Sequence, residues 1–208
     1  MNSSENLRGL ILVMIGPGGA GKSAIMKAII EHYANIQQLA TATTRDIRTG
    51  EQQGREHLFV SPQQFQAMIA KDELLEHQEV TPGKFYGIPR QTVADCLKSA
   101  QVRIADIEVL GARKLARAYP ENVVQVFVTV PGGTIAEQSQ VLEERMRRRD
   151  DGATDIYHRL QRAKELELPY QSRCDYVVVN DTLAGAVAST RAIVEKELAR
   201  RGLAGASQ

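Results

Sequence analysis

The sequence lacks most of what would place it outside the soluble enzymes. It has no apolar run long enough for a bilayer: the longest, Leu10 to Ile15, is far short of the roughly 20 residues a spanning helix needs. Its first residues, Met1-Asn2-Ser3-Ser4-Glu5-Asn6, have neither the basic start nor the apolar stretch of a secretory signal. It has little net charge, +1 with 26 basic against 25 acidic residues, so no global field argues for DNA or RNA as the partner, and any basic function must be local. It has only two cysteines, Cys96 and Cys174, far apart and without metal-ligand spacing, which reads as two reduced thiols. Internal repeats and low-complexity blocks are absent. These absences point to a cytoplasmic protein with no membrane and no nucleic-acid partner. At 208 residues the chain suits one well-buried domain.

What is present alternates short apolar strands with amphipathic helices, the signature of a parallel sheet wrapped by helices. Residues 10–15 predict a buried strand, and 22–33 a helix after a glycine-rich turn. Strands are expected at 102–107 and 123–130, with a helix at 110–119 between them. A last strand at 176–180 leads into a closing helix carrying Leu183, Ala186, Val187, Ile193 and Val194. Between residues 38 and 90 the texture changes to short extended pieces (57–61 and 75–80), a helix at 62–71 and glycine turns at Thr49-Gly50 and Pro82-Gly83. This reads as an insertion at the carboxyl edge of the sheet, where open α/β folds bind ligands. An arginine-dense stretch, 143–155, reads as a mobile interruption between two helices.

The strongest motif is Gly16-Pro17-Gly18-Gly19-Ala20-Gly21-Lys22-Ser23, followed by Ala24. It satisfies the Gly-x-x-x-x-Gly-Lys-Ser/Thr spacing and sits between a strand and a helix, as a phosphate-binding loop requires. Glycines let successive backbone N–H groups point inward at phosphate oxygens, and the helix adds the positive end of its dipole. Lys22 would reach the β- and γ-phosphates, and the Ser23 hydroxyl would hold Mg²⁺. The loop specifies a nucleotide, not a reaction.

Thr41-Ala42-Thr43-Thr44-Arg45-Asp46-Ile47-Arg48-Thr49-Gly50-Glu51 then resembles the segment in which guanylate kinases grip the monophosphate of GMP. The resemblance continues through Phe59, Phe65, Leu75-Glu76, Phe85-Tyr86-Gly87, Asp106-Ile107-Glu108 and Val178-Val179-Asn180-Asp181. It spans about residues 10 to 195 in order, which is similarity over a whole domain. It implies an α/β fold with a parallel β-sheet core of P-loop NTPase type flanked by helices, with an inserted NMP-binding subdomain and a lid. The expected single domain, 8–205, divides into a core (8–37, 100–140 and 174–205), the NMP-binding subdomain (38–92) and the lid (141–158). The implied reaction moves the γ-phosphoryl of ATP to GMP, with Mg²⁺ as the cofactor, small-molecule nucleotides as the partners, and a monomer or weak homo-oligomer as the state.

The resemblance also implies roles, residue by residue. Arg45 and Arg48 offer planar, permanently charged forks suited to a phosphate dianion. Glu76 would accept from the guanine N1–H and amine, an edge that adenine does not present. Thr41 stands where the family keeps a small hydroxyl near the base. Tyr86, beside Gly87, matches the phosphate-binding tyrosine. Asp106 and Glu108 lie near the acceptor nucleoside, Asp106 also serving the metal. Arg145, Arg149 and Arg159 are the charge-neutralising arginines of the lid region, Arg147 and Arg148 being surface. Asn180 borders the ATP adenine.

Three positions depart from the family. His57 replaces a tyrosine that donates to the acceptor phosphate; an imidazole donates best when protonated, near pH 6.5, so acceptor affinity is expected to weaken as pH rises. Ile88 stands where the family has a hydroxyl near the guanine, and Pro89 next to it stiffens the loop. Arg148-Arg149-Asp150 replaces a glycine-flanked arginine. Two further readings therefore stand beside the first: the same transfer to another monophosphate, and a non-catalytic guanylate-kinase-like binding module.

Overall fold

The computed structural model describes residues 7–148 and 152–203. The chain divides into two compact units. One holds the chain up to Leu12 with Asn35–Ala105 and Leu110–Val123; the other holds Val13–Ala34, Asp106–Val109 and the chain from Val124 on.

A five-stranded sheet has the order β2-β7-β1-β8-β9. Its strands are β1 (Leu10–Ile15), β2 (Ile36–Gln38), β7 (Val102–Asp106), β8 (Val123–Thr129) and β9 (Tyr176–Val179). β2 runs parallel to β7 and β8 parallel to β9. Every residue of β1 and β8 is buried, which explains why β1 reads as a continuous apolar run and β8 as an apolar stretch broken by Gln125 and ended by Thr129, rather than as alternating strands.

Residues 41–89 hold a second sheet, of order β4-β3-β6-β5. It comprises β3 (Thr41–Thr43), β4 (His57–Phe59), β5 (Leu74–Thr81) and β6 (Lys84–Pro89). β3 and β4 are parallel, whereas β6 is antiparallel to both β3 and β5. Its apolar face closes on Phe65 of α2 (Pro62–Ala70), which with Ala42 and Leu74 forms a small core. α2 begins sharply because Ser61 and Gln64 form a reciprocal capping box and Pro62 needs no N–H partner at the first turn. α3 (Arg90–Lys98) starts directly after β6 and buries Val93, Cys96 and Leu97. Neither this helix nor strands β2, β3 and β6 are expected from the sequence pattern. Pro89 closes β6 and caps α3, so it stiffens a strand-to-helix junction and not a loop.

In the other unit α1 (Lys22–His32) packs against α8 (Leu183–Arg201), with the Tyr33 hydroxyl donating to Glu195 at 3.1 Å. α8 buries Ala186, Thr190, Val194, Glu197 and Leu198, while Leu183 stays exposed. α4 (Val109–Ala118) belongs mainly to the first unit. α5 (Ile135–Arg148) and α6 (Ala153–Arg162) show that the expected interruption at 143–155 is mostly helix. Asp150 and Asp151 lie outside the described residues. A π-helical turn (Ala163–Glu167), the short α7 (Leu168–Tyr170) and a 3-10 turn (Gln171–Arg173) return the chain to β9. Both cysteines are free thiols, and no described helix is long and apolar enough to cross a membrane.

Candidate nucleotide sites

The phosphate loop leaves β1 at Ile15 and enters α1 at Lys22. Gly16, Gly19 and Gly21 have φ of 141°, 93° and 95°, a backbone path that side-chain-bearing residues rarely adopt. Two are also crowded: a Cβ at Gly16 would lie 2.1 Å from the Val128 carbonyl oxygen, and one at Gly21 would lie 2.2 Å from Asn180 Nδ2. Pro17 accepts from the Ala20 N–H at 3.1 Å, which tightens the turn. Arg159 lies over Gly18, its Cδ 3.5 Å from where a Cβ would stand.

Lys22 curls over its own loop. Its ammonium donates to the Gly16 carbonyl at 2.6 Å and lies 3.7 Å from Asp106 Oδ1. Ser23 and Ala24 are exposed on the first turn of α1. Desolvation pushes the Asp106 carboxyl above the usual carboxylate range; Lys22 opposes this and the Glu108 charge adds to it.

Two groups outside the sequence motifs complete this cluster. Arg162 pairs with Glu108 and, through Nε at 3.3 Å, with Glu167 of the π-turn. Gly16, Lys22, Asp106, Glu108 and Glu167 line one small cavity. Burial drives Glu167 up to about 7, against the pull of Lys22 and Arg162. Arg162 and Glu167 are five residues apart, a spacing that an α-helix would not bring together and a π-turn does, so no helical periodicity could reveal the pair.

Asn180 is buried after β9. Its side-chain amide donates to the Ala20 carbonyl at 2.7 Å, and its backbone carbonyl accepts from Arg145 Nη2 at 2.8 Å. It therefore braces the loop and links it to Arg145 of α5. Arg147 and Arg148 are exposed and paired with Glu143 and Glu144 one turn back. Arg149 lies outside the described residues. A larger concavity in this unit, about 330 Å³ beside Gly132, Ile135 and Leu168, contains none of the expected site residues.

The second constellation stands on the 41–89 sheet. Arg45, only 8% exposed, is clasped by Glu51, with Nη1 and Nη2 donating to the two carboxylate oxygens at 2.7 and 2.6 Å. The Glu51 carboxyl is held down to about 2, chiefly by that pair. The Arg48 N–H donates to the same carboxylate at 2.8 Å, while the Arg48 side chain reaches solvent. Arg45 also stacks over Phe59, 5.4 Å from the ring centre. In the sequence Glu51 is only the last residue of a motif; its role as organiser of both arginines is a structural finding.

His57 and Thr41 are register partners, and Thr41 Oγ1 lies 2.8 Å from His57 Nδ1. The ring meets Phe59 and Tyr86 edge-on, at 5.5 and 6.0 Å. Burial first, and Arg45 second, lower the His57 pKa, so it is neutral at pH 7 rather than poised as a cation. Glu76 is buried and pairs in register with Ile88, itself 2% exposed. Gly87 is fixed by packing: a Cβ there would lie 2.9 Å from Leu74 Cδ1 and 3.1 Å from Phe65 Cζ. Thr41, Arg45, Arg48, His57, Glu76, Tyr86 and Gly87 thus share one sheet and the turn beside it, whereas Asp106 and Glu108 sit with the phosphate loop.

Residues 8–197 match the guanylate kinase family model. The guanylate kinase of Halalkalibacterium halodurans is 37% identical over 95% of this chain and 93% of its own length. That of Caulobacter vibrioides is 35% identical over 97% and 92%. Among solved structures, guanylate kinase from Anaplasma phagocytophilum superposes with a TM-score of 0.67 at 28% identity, covering 92% of this chain and 87% of that one. A complete phosphate loop, a paired arginine fork and agreement over nearly the whole length place this chain in the guanylate kinase family.

Proposed function

We propose that the protein transfers the γ-phosphoryl of ATP to GMP, giving ADP and GDP. The observation that carries the proposal is the loop at 16–23, with its left-handed glycines and with Lys22 resting on the Gly16 carbonyl, the posture of an ammonium held ready for phosphate.

On this reading the loop N–H groups and Lys22 hold the ATP phosphates, Asn180 keeps the loop in shape, and Arg145 and Arg159 neutralise charge as the phosphoryl group moves. Arg149 is proposed for the same task. Arg45 and Arg48 grip the acceptor phosphate with His57 and Tyr86, and Glu76 reads the guanine edge beside Thr41 and Gly87. Glu108 and Asp106 are proposed to serve the acceptor nucleoside. No general base is needed, because the acceptor oxygen is already anionic. Catalysis is positioning plus electrostatic neutralisation.

Mg²⁺ fits the oxygen donors present. The Ser23 hydroxyl and the Asp106 carboxylate would hold it, and it would offset charge on the transferring phosphate. Such an ion commonly takes one or two protein oxygens and fills its shell with substrate phosphates and water. Ile88 supplies no hydroxyl to the purine, so Glu76 has the larger share of base selection.

The test is coupled ATP consumption across the common nucleoside monophosphates, with Lys22→Ala as control. GMP is expected to be the best acceptor, and Lys22→Ala to lower turnover about a hundredfold or more. CMP or UMP outrunning GMP would overturn the assignment.

A further inference from the structure

Thr41 and His57 face each other across the parallel pair β3 and β4, with the hydroxyl 2.8 Å from Nδ1. The ring is confined by Phe59 and Tyr86. The charged groups acting on it are Arg45, which lowers its pKa together with burial, and Glu51 and Glu56, which raise it; a hydrogen bond to the Thr41 backbone also raises it, and the net result is a depressed pKa. A neutral imidazole has a single N–H, and the partner of one nitrogen decides which nitrogen carries it. With the proton on Nδ1, Nε2 would present a lone pair to phosphate oxygens and repel them. With the proton on Nε2, Nδ1 must accept, and the Thr41 hydroxyl, which can donate or accept across that 2.8 Å contact, is within reach to donate.

We propose that Thr41 is a positioning residue acting through His57: its hydroxyl donates to Nδ1, fixes the proton on Nε2, and so makes an uncharged histidine a donor to the acceptor phosphate. This deepens, and rests on, the assignment of the 41–89 sheet as the monophosphate site. It has a consequence for the base. A hydroxyl proton committed to His57 is not offered to the purine, so with Ile88 also silent, Glu76 is the side chain that selects guanine.

The first test requires no variant. Side-chain ¹⁵N NMR of the full-length protein at pH 7.5, free and with GMP, should show His57 as the Nε2–H tautomer; a dominant Nδ1–H tautomer would overturn the proposal. In kinetics, Thr41→Val should raise the KM for GMP about 3- to 10-fold, the worth of one hydrogen bond, and leave the KM for ATP unchanged. In a His57→Phe background the same substitution should do nothing further, because the group it orients is gone. An equal penalty in both backgrounds would place Thr41 directly on the base and sink the proposal. Failure of the kinase assignment itself would look different: no GMP-dependent ATP consumption by the wild-type protein, with the tautomer still readable.

Discussion

Arg45 and Glu51 meet edge to edge, two guanidinium nitrogens against two carboxylate oxygens at 2.7 and 2.6 Å. The pair closes the turn that contains Gly50, and the Arg48 N–H joins it on the same carboxylate. A long side chain is thereby fixed before any ligand arrives, and rotamer entropy that binding would otherwise cost is already lost on folding. Nη1 also donates to the Asp46 carbonyl at 2.8 Å and the guanidinium hydrogen-bonds Tyr86, so few of its five N–H groups are left to grip a phosphate.

Geometry, and not charge alone, should therefore decide what position 45 can hold. Arg45→Lys keeps the cation but cannot satisfy two carboxylate oxygens and a phosphate at once. Its KM for GMP should rise about 10- to 100-fold, the 1.5–3 kcal/mol of a hydrogen bond to a charged group, with the KM for ATP unaltered. Full activity in the lysine variant, measured at saturating ATP, would show that the fork is dispensable.

Glu51 also links stability to acid. Its carboxyl titrates at about 2 when folded against 4.5 as a free side chain. A depressed carboxylate stabilises the fold above its unfolded pKa, and that contribution drains away as pH falls from about 4.5 towards 2. Glu51→Gln should accordingly be less stable than wild type in urea at pH 7, and the gap should shrink steadily below pH 4.5. A gap independent of pH would mean that the carboxylate is not what matters there.

The phosphate loop is legible in the sequence because its chemistry is local: eight consecutive residues carry the spacing, and the flanking strand and helix confirm it. Even there the motif contains only half the reason for Gly16 and Gly21, since the Val128 carbonyl and the Asn180 amide that crowd them are distant in the chain. Buried β1 is legible as an unbroken apolar run, and β8 as a valine-rich stretch interrupted only by Gln125 before Thr129. β3 and β6 are not: their Thr, Phe, Tyr and Ile favour strands, but such short pieces, broken by Ala, Gly and Pro, do not stand out until they pair with β4, β5 and each other. α3 does carry a spacing, Val93, Cys96 and Leu97, but unlike the equally short α2, which follows Ser61 with Pro62 and Gln64, it has no side-chain cap at its start to announce it. The protonation of His57 is beyond the sequence altogether, because it depends on burial and on Arg45.

Asn180 is expected at the adenine from the family resemblance, and its observed bonds predict a different sensitivity. The Ala20 carbonyl that it satisfies is part of the loop. Asn180→Leu preserves volume and leaves that buried acceptor unpaired, at a cost of about 1–3 kcal/mol. Urea unfolding should show the loss, and the KM for ATP should rise while that for GMP holds. Unchanged stability would mean that the amide is not bracing the loop.

Glu167 should produce the opposite pH slope to Glu51. Buried beside Arg162 on the π-turn, it titrates at about 7 in the folded chain against 4.5 unfolded. Below about 4.5 the carboxyl is neutral in both states and its contribution is intact. As pH climbs towards 7 the unfolded chain ionises first, so stability declines and levels off once the folded carboxyl has ionised too. Glu167→Gln removes that titration while keeping size and polarity. Relative to wild type, its melting temperature should therefore climb by roughly 5–10 °C between pH 5 and pH 8, the shift expected for about 2–3 kcal/mol in a chain of this size. Scanning calorimetry of the ligand-free protein decides it: if the difference between the two proteins is flat from pH 5 to 8, Glu167 is ionised throughout, and Arg162 with Lys22 compensates its burial in full.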